Sequence, residues 1–168
     1  MKKVLVIGVS SGVGKTTLAK QVGEKWNLPV YHLDALYWKR GWKEASEEEF
    51  QCKMKEIVIQ EKWIIEGNYT STLPLRLKEA DTIIYIERPL WMCLYRVLKR
   101  TLQYKGTTRP EMTAGCPERF SWSFLRFIVS TYHNRRKEFR QLVLKCRAQG
   151  KDVRVCRNKE DEERLLKN

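Results

Sequence analysis

The chain has 168 residues, of which 42% are hydrophobic, 11% aromatic and 32% charged, and its formal net charge is +13. This composition predicts a globular protein with a single domain, residues 1–168, and no segment is apolar for long enough to predict a membrane span. The five cysteines form no Cys-x-x-Cys pair, which argues against a disulfide framework and a zinc site and favours a reducing, cytoplasmic location.

A glycine-rich segment comes first along the chain. Residues 8–17, Gly-Val-Ser-Ser-Gly-Val-Gly-Lys-Thr-Thr, follow the apolar run 4–7 and precede a helical pattern that ends near Trp26. A strand, a glycine-rich loop and a helix in this order are typical of a P-loop that binds ATP, in which backbone N–H groups surround the phosphates. Lys15 would reach the β and γ oxygens, and the Thr16 hydroxyl would hold Mg²⁺. The predicted nucleotide-binding residues of this loop are Ser11, Gly12, Val13, Gly14, Lys15, Thr16 and Thr17.

One position departs from the usual P-loop pattern. Val9 stands where the first glycine is expected, and Gly8 lies one residue too early. A β-branched residue resists positive φ, so the turn must be made by Gly8 or by a slightly different path of the loop.

Strands and helices alternate along the rest of the chain. Apolar runs predict strands at 29–34, 63–66, 82–87 and 152–156, each ending near a polar residue. Helices are predicted after the capping box of Ser46 and Glu49, from Pro89 in the first turn, over about 120–148 and from Asn158. The alternation predicts an α/β, three-layer P-loop NTPase fold with a five-stranded parallel sheet and helices on both faces. Residues 105–119, which contain glycines and prolines but no regular period, are expected to form a lid-like insertion.

Four stretches carry a resemblance to a known family. They are the P-loop, residues 31–38 (Tyr-His-Leu-Asp-Ala-Leu-Tyr-Trp) with Gly41 and Trp42, residues 63–69 (Trp-Ile-Ile-Glu-Gly-Asn-Tyr), and residues 94–100 (Leu-Tyr-Arg-Val-Leu-Lys-Arg). With them the chain resembles the P-loop kinases related to adenylate and shikimate kinases, and most closely the DNA topology modulation proteins, or FlaR-related proteins. The resemblance implies ATP binding and kinase chemistry, whereas no residue explains an effect on DNA.

The resemblance also implies roles for residues that follow the predicted strands, where ligands of such folds bind. Asp34 would orient or deprotonate the acceptor hydroxyl, and the alternative is a solvated acid. Glu66 would hold Mg²⁺ or its waters, or contact the acceptor; because Glu is longer than the Asp of many relatives, a water-mediated role is favoured. Residues expected on the acceptor side are Trp38, Trp42, Asn68 and Tyr69, although clustered aromatic residues complete a core equally often.

Several basic residues are expected to contact the phosphates. Arg96 and Arg100 are spaced i, i+4 on the helix before the lid-like segment, where adenylate kinases carry an arginine pair. Arg135 and Arg136 lie on the returning helix, and their spacing leaves open which of the two faces the site. Arg109 and Arg119 flank the lid-like segment, and Asn158 lies where the family packs the adenine.

The distribution of charge leaves two functions open. Residues 88–157 contain 17 Lys and Arg against 4 Asp and Glu, so the whole excess of positive charge lies there. The favoured interpretation is a kinase that uses ATP and Mg²⁺ and acts on a small acceptor that carries a hydroxyl or phosphate group. The alternative is a nucleic-acid-associated ATPase that binds phosphate backbone through the basic block, although no DNA-reading motif is present. The identity of the acceptor and the oligomeric state do not follow from the sequence.

Overall fold

A parallel sheet lies at the centre of the part of the chain, residues 1–167, that this computed structural model describes. In chain order the elements are β1 (Lys3–Gly8), α1 (Lys15–Trp26), β2 (Val30–His32), α2 (Leu33–Tyr37), β3 (Trp38–Lys39), β4 (Lys43–Glu44), α3 (Glu47–Val58), β5 (Trp63–Glu66), α4 (Leu73–Glu79), β6 (Thr82–Ile86), α5 (Leu90–Gln103), α6 (Trp122–Ala148), β7 (Asp152–Cys156) and α7 (Lys159–Lys167). The sheet has five strands in the order β2-β5-β1-β6-β7, and every pairing is parallel. The predicted fold class is confirmed.

The central strands explain why the sheet is parallel. Residues Val4 to Ile7 of β1 are completely buried, and all residues of β5 and β6 are buried as well. Strands with two covered faces read as continuous apolar runs, and helices must then cover both faces of the sheet. The carboxyl ends of β1, β2 and β5 meet at one edge, and this arrangement brings together the P-loop, α2 and the loop after β5.

Several predicted boundaries differ from the observed ones. The strand predicted to end at Asp34 ends at His32, and Asp34 lies in the first turn of α2. The aromatic loop that follows contains a two-stranded hairpin of β3 and β4. Helix α4 was not predicted, since seven residues are too few to establish a helical period. Pro89 is the residue that caps α5 and not part of its first turn, whereas the capping box of Ser46 and Glu49 is confirmed.

The start of the P-loop takes a path that needs no glycine at position 9. Val9 is buried, its N–H donates to the carbonyl of Ile86 (3.0 Å), and the positive φ angles of the loop occur at Gly12 (76°) and Gly14 (108°). Gly8 is required for space, because a Cβ there would lie 2.5 Å from Cγ1 of Val13. Val9 therefore marks a different course of the loop, not a strained turn.

A helix that crosses a membrane must be both long and apolar. Among residues 1–167, no helix combines these two properties.

Candidate active site

One large cavity of about 1010 Å³ opens at the carboxyl ends of the strands. It collects most of the residues that the sequence singled out, from the P-loop, α2, the hairpin, the loop after β5, α5 and α6. The predicted site residues that line it are Ser11, Gly12, Gly14, Lys15, Thr16, Thr17, Asp34, Trp38, Trp42, Glu66, Asn68, Tyr69, Arg96, Arg100 and Arg135, together with Arg109 and Arg119 of the lid segment, residues 105–119. Residues far apart in sequence thus share one space that can hold two small substrates.

The P-loop forms one wall of the cavity. Lys15 donates a hydrogen bond from Nζ to the carbonyl of Ser10 (3.1 Å), and Arg96 donates from Nη1 to the carbonyl of Val13 (3.1 Å). Burial lowers the pKa of Lys15, and the nearby carboxylates of Glu66 and Asp34 oppose this shift. An ammonium group that lines the cavity at the N-terminus of α1 suits the charge of a triphosphate.

Glu66 lies between the P-loop and the end of β2. Its Oε1 accepts a hydrogen bond from the Thr16 hydroxyl (3.1 Å) and lies 3.0 Å from Nδ1 of His32. Burial opposes ionisation of Glu66, but the hydrogen bond with His32 and the charge of Lys15 outweigh it, so its pKa lies below the usual value. Within residues 1–167 no group of three or more His, Cys, Asp or Glu could hold a metal by itself. A hydroxyl next to an ionised carboxylate nevertheless fits Mg²⁺ that takes its other ligands from phosphates and water.

Asp34 faces the cavity beside a cluster of aromatic rings. Its Oδ1 accepts a hydrogen bond from the Tyr69 hydroxyl (2.9 Å), and burial together with the Asp34 charge raises the pKa of that phenol. The ring of Tyr69 lies 4.8 Å from that of Tyr37, and those of Trp38 and Trp42 lie 5.4 Å apart. The phenol therefore stays a hydrogen-bond donor at neutral pH and orients one oxygen of Asp34, while the other can accept a proton.

Asn68 joins the loop after β5 to the start of the P-loop. Its Oδ1 accepts from the N–H of Gly8 (3.1 Å), and its Nδ2 donates to the carbonyl of the same residue (2.5 Å). Both functional groups of the side chain are thereby used within the protein. Asn68 lines the cavity, and its predicted contact with the acceptor stays a prediction.

The lid segment rests on the hairpin side of the cavity. The carbonyl of Gly115 accepts from the N–H of Gly41 (2.9 Å), and that of Pro117 accepts from Nε1 of Trp42 (3.0 Å). The buried Glu118 binds two arginines that line the cavity, with its oxygens 3.2 Å from Nη2 of Arg100 and 2.9 Å from Nε of Arg109. One carboxylate therefore allows two guanidinium groups to lie close together despite their mutual repulsion.

The structure distinguishes the two arginines of α6 that the sequence left open. Arg135 lines the cavity, with its guanidinium 4.8 Å from the centre of the Phe127 ring. Arg136 lies 3.0 Å from Oε1 of Glu87, and Arg140 binds the same carboxylate. Burial opposes ionisation of Glu87, but the hydrogen bonds from both arginines lower its pKa to about 2.

Three predicted residues are not brought to the cavity. Arg136 is held by Glu87, the Val13 side chain is buried in the core, and Asn158 lies at the start of α7, where its Oδ1 accepts from the N–H of Asp161 (2.8 Å). A nearer partner engages the side chains of Arg136 and Asn158, and the geometry does not favour binding roles for these two residues. The role predicted for Val13 depends on its backbone N–H, so burial of its side chain does not bear on it, and it stays a prediction.

Sequence reasoning missed two buried charged residues. Arg76 of α4 is fully buried and donates hydrogen bonds to Gly67 and Tyr69 carbonyls and to the Thr72 hydroxyl. The signal was present, because Arg76 stands between two leucines in a helical stretch. Glu118 also had a signal, as one of only four acids in the basic block 88–157.

Known structures share this architecture. The chain is similar to shikimate kinase from Aquifex aeolicus vf5, with 18% identity, a TM-score of 0.57, and coverage of 98% of this chain and 90% of that one. It is also similar to shikimate kinase from Bacteroides thetaiotaomicron, with 17% identity, a TM-score of 0.58, and coverage of 98% and 96%. No protein-family model matches the chain, and no curated protein matches it in sequence. At this level of identity the likeness establishes the fold.

Proposed function

We propose that the protein is an ATP- and Mg²⁺-dependent phosphotransferase that transfers the γ-phosphate of ATP to a hydroxyl of a small acceptor. The observation that carries the proposal is that Lys15 and Thr16 of the P-loop and the carboxylate of Asp34 line the same cavity. Asp34 is also near enough to Lys15 to influence its pKa. A triphosphate and an acceptor hydroxyl can therefore meet in one site.

The transfer step follows from these positions. The acceptor oxygen attacks the γ-phosphorus, the bond between that phosphorus and the β–γ bridging oxygen breaks, and ADP leaves. The proton of the hydroxyl passes to the free oxygen of Asp34, which Tyr69 orients. Lys15, Arg96, Arg100 and Arg135 would neutralise the phosphate oxygens. Mg²⁺, held by Thr16 and Glu66, would supply further neutralisation of the phosphates.

The placement of the basic residues favours this function over a nucleic-acid-associated ATPase. Five arginines of the block 88–157 line the cavity, and Arg88, Arg136 and Arg140 bind Glu162 or Glu87. We propose a relationship to the FlaR-related proteins on the motifs of the sequence alone, and this relationship supports ATP binding. DNA binding at physiological ionic strength that weakens steeply with added salt would favour the alternative.

ADP formation, measured with and without a panel of acceptors, tests the proposal. Lys15→Ala is expected to abolish ATP binding and turnover, and Lys25→Ala, an exposed lysine of the same helix, is the matched control. Asp34→Asn is expected to keep ATP affinity but to lose most of the acceptor-dependent turnover. A Lys15→Ala protein with full ATP affinity and turnover, or equal rates with and without every acceptor, would contradict the proposal.

A further inference from the structure

One surface of the protein combines exposed apolar side chains with positive charge. Among residues 1–167, eleven large hydrophobic side chains are exposed, and six of them belong to α5 or to residues 120–122 at the start of α6. They are Trp91, Tyr95, Leu98, Leu102, Phe120 and Trp122. Single exposed apolar residues are ordinary on a protein surface, whereas a group of them indicates a docking surface.

The four residues of α5 form a stripe along one face of the helix. Their positions, 91, 95, 98 and 102, are spaced by four, three and four residues, which places them on the same side of a helix. Trp91 is 65% exposed and Leu102 is 77% exposed. The other side of α5 packs into the protein and buries Cys93, Val97 and Thr101. The stripe, called the α5 stripe below, therefore faces solvent along three turns of the helix.

An aromatic pair lies at the C-terminal end of the α5 stripe. The rings of Phe120 and Trp122 have their centres 5.0 Å apart, and Trp122 is 77% exposed. Glu118, two residues before the pair, accepts a hydrogen bond at Oε1 from the hydroxyl of Thr101 (3.4 Å), the neighbour of Leu102 in the chain. The pair is thus held beside the last turn of α5.

The segments that carry these six residues are exclusively basic. Residues 88–110 contain six Lys and Arg, residues 119–137 contain five, and neither segment contains Asp or Glu. Lys99, Lys105 and Arg119 are exposed, the first within the span of the α5 stripe and the other two between it and Phe120 in the chain. A second copy of the same surface would bring these like charges together, which disfavours a symmetric dimer. The complementary partner is apolar and negatively charged.

An anionic lipid surface has both properties. Its head groups attract lysine and arginine, and the boundary between head groups and acyl chains takes up tryptophan and leucine side chains. A typical protein interface carries about ten hydrogen bonds, whereas the side chains of the α5 stripe offer only the Tyr95 hydroxyl and the Trp91 indole N–H. We infer that the α5 stripe, with Phe120 and Trp122, docks the protein on membranes that contain anionic lipid, so that it lies on the bilayer without crossing it. The inference does not depend on the proposed function.

Co-sedimentation of the full chain with lipid vesicles tests the inference. Vesicles of phosphatidylcholine alone are compared with vesicles of phosphatidylcholine and phosphatidylglycerol at physiological ionic strength. Binding to the vesicles with phosphatidylglycerol is expected to be about tenfold stronger or more, because each lysine or arginine near an anionic surface adds to the attraction. Absence of binding to both kinds of vesicle, or equal binding to both, would overturn the inference.

A double variant tests the apolar contribution. Trp91→Gln together with Leu102→Gln is expected to weaken binding to the vesicles with phosphatidylglycerol about tenfold or more, because two large apolar side chains no longer enter the lipid. Both side chains are exposed, so the fold is expected to persist, and circular dichroism checks this. Ile59→Gln together with Leu144→Gln is the matched control, since these side chains are 78% and 65% exposed and lie outside the α5 stripe. Equal binding by the two double variants would overturn the inference.

A second pair of variants tests the charges and the other occupants. Lys99→Gln together with Lys105→Gln is expected to weaken binding to the same vesicles about tenfold, and Lys53→Gln with Lys55→Gln, at exposed positions of α3, is the control. Equal weakening in both would show an effect of net charge alone and would overturn the inference. A dimer, or a complex with duplex DNA, that is lost with the Trp91 and Leu102 side chains would assign the surface to that occupant and would also overturn it.

Discussion

Arg76 offers a sharp test of how the site is held together. Its side chain is fully buried. It donates hydrogen bonds to Oγ1 of Thr72 (3.2 Å), to the carbonyl of Gly67 (3.0 Å) and to that of Tyr69. Burial lowers the pKa of Arg76 to about 10, so the guanidinium remains charged at neutral pH. These three hydrogen bonds shape the loop that carries Asn68 and Tyr69 into the cavity.

The expected magnitude follows from the bonds that Arg76→Met removes. The Thr72 hydroxyl can turn to another partner, but the carbonyls of Gly67 and Tyr69 lose theirs, and each buried unsatisfied acceptor costs about 1–3 kcal/mol. Removal of a buried charge offsets part of this cost. We expect a loss of about 3 kcal/mol in the free energy of unfolding, which for a domain of this size lowers Tm by about 6–12 °C.

Thermal unfolding of the purified protein, followed by circular dichroism, measures this effect. Lys78→Met is the matched control, because Lys78 lies on the same helix but is exposed. At temperatures where Arg76→Met is folded, its KM for the acceptor is expected to rise more than its KM for ATP, since Tyr69 is displaced and the P-loop is not. If the Tm of Arg76→Met lay within about 2 °C of the control, the reasoning from buried hydrogen bonds would be refuted.

Three further predictions concern single contacts. Glu118→Gln is expected to raise the KM for ATP about tenfold because two guanidinium groups lose their common carboxylate. Steady-state kinetics measures this KM with Glu163→Gln as the control, and an equal KM for ATP in the two variants would contradict the prediction. Asn68→Ala, which loses both hydrogen bonds to Gly8, is expected to lower the free energy of unfolding in urea by about 2 kcal/mol, and a loss no greater than in Asn134→Ala, at an exposed position of α6, would contradict it. The pKa of Glu87, lowered to about 2, implies stability that is present above about pH 4.5 and lost as the pH falls toward 2. After allowance for the exposure of its arginine partners this contribution is about 2 kcal/mol. The free energy of unfolding of Glu87→Gln should therefore fall less between about pH 4.5 and 2 than that of the unsubstituted protein, and an equal fall in both would contradict the prediction.

The fold was accessible from the sequence because its signals are local. The buried strand before the P-loop and the capping box at Ser46 each depend on residues within one short segment. Helix α4 and the β3–β4 hairpin were not predicted from the sequence because their few residues contain too little periodicity, and tertiary contacts stabilise them. At Val9 the sequence left open whether Gly8 makes the turn or the loop takes a different path, because the outcome depends on a hydrogen bond to Ile86 in a distant strand.

The local pattern of the chain was enough to establish the P-loop, the alternation of strands and helices, and the edge of the sheet at which Asp34 and Glu66 lie. Only the tertiary structure decided which charged groups face the cavity. Arg135 and Arg136 are neighbours, but a helix turns by about 100° per residue, so one lines the cavity while the other meets Glu87, 49 residues away. A sequence pattern records the periodicity of neighbours, whereas a hydrogen bond or ion pair acts only over a few ångströms between groups that the completed fold brings together.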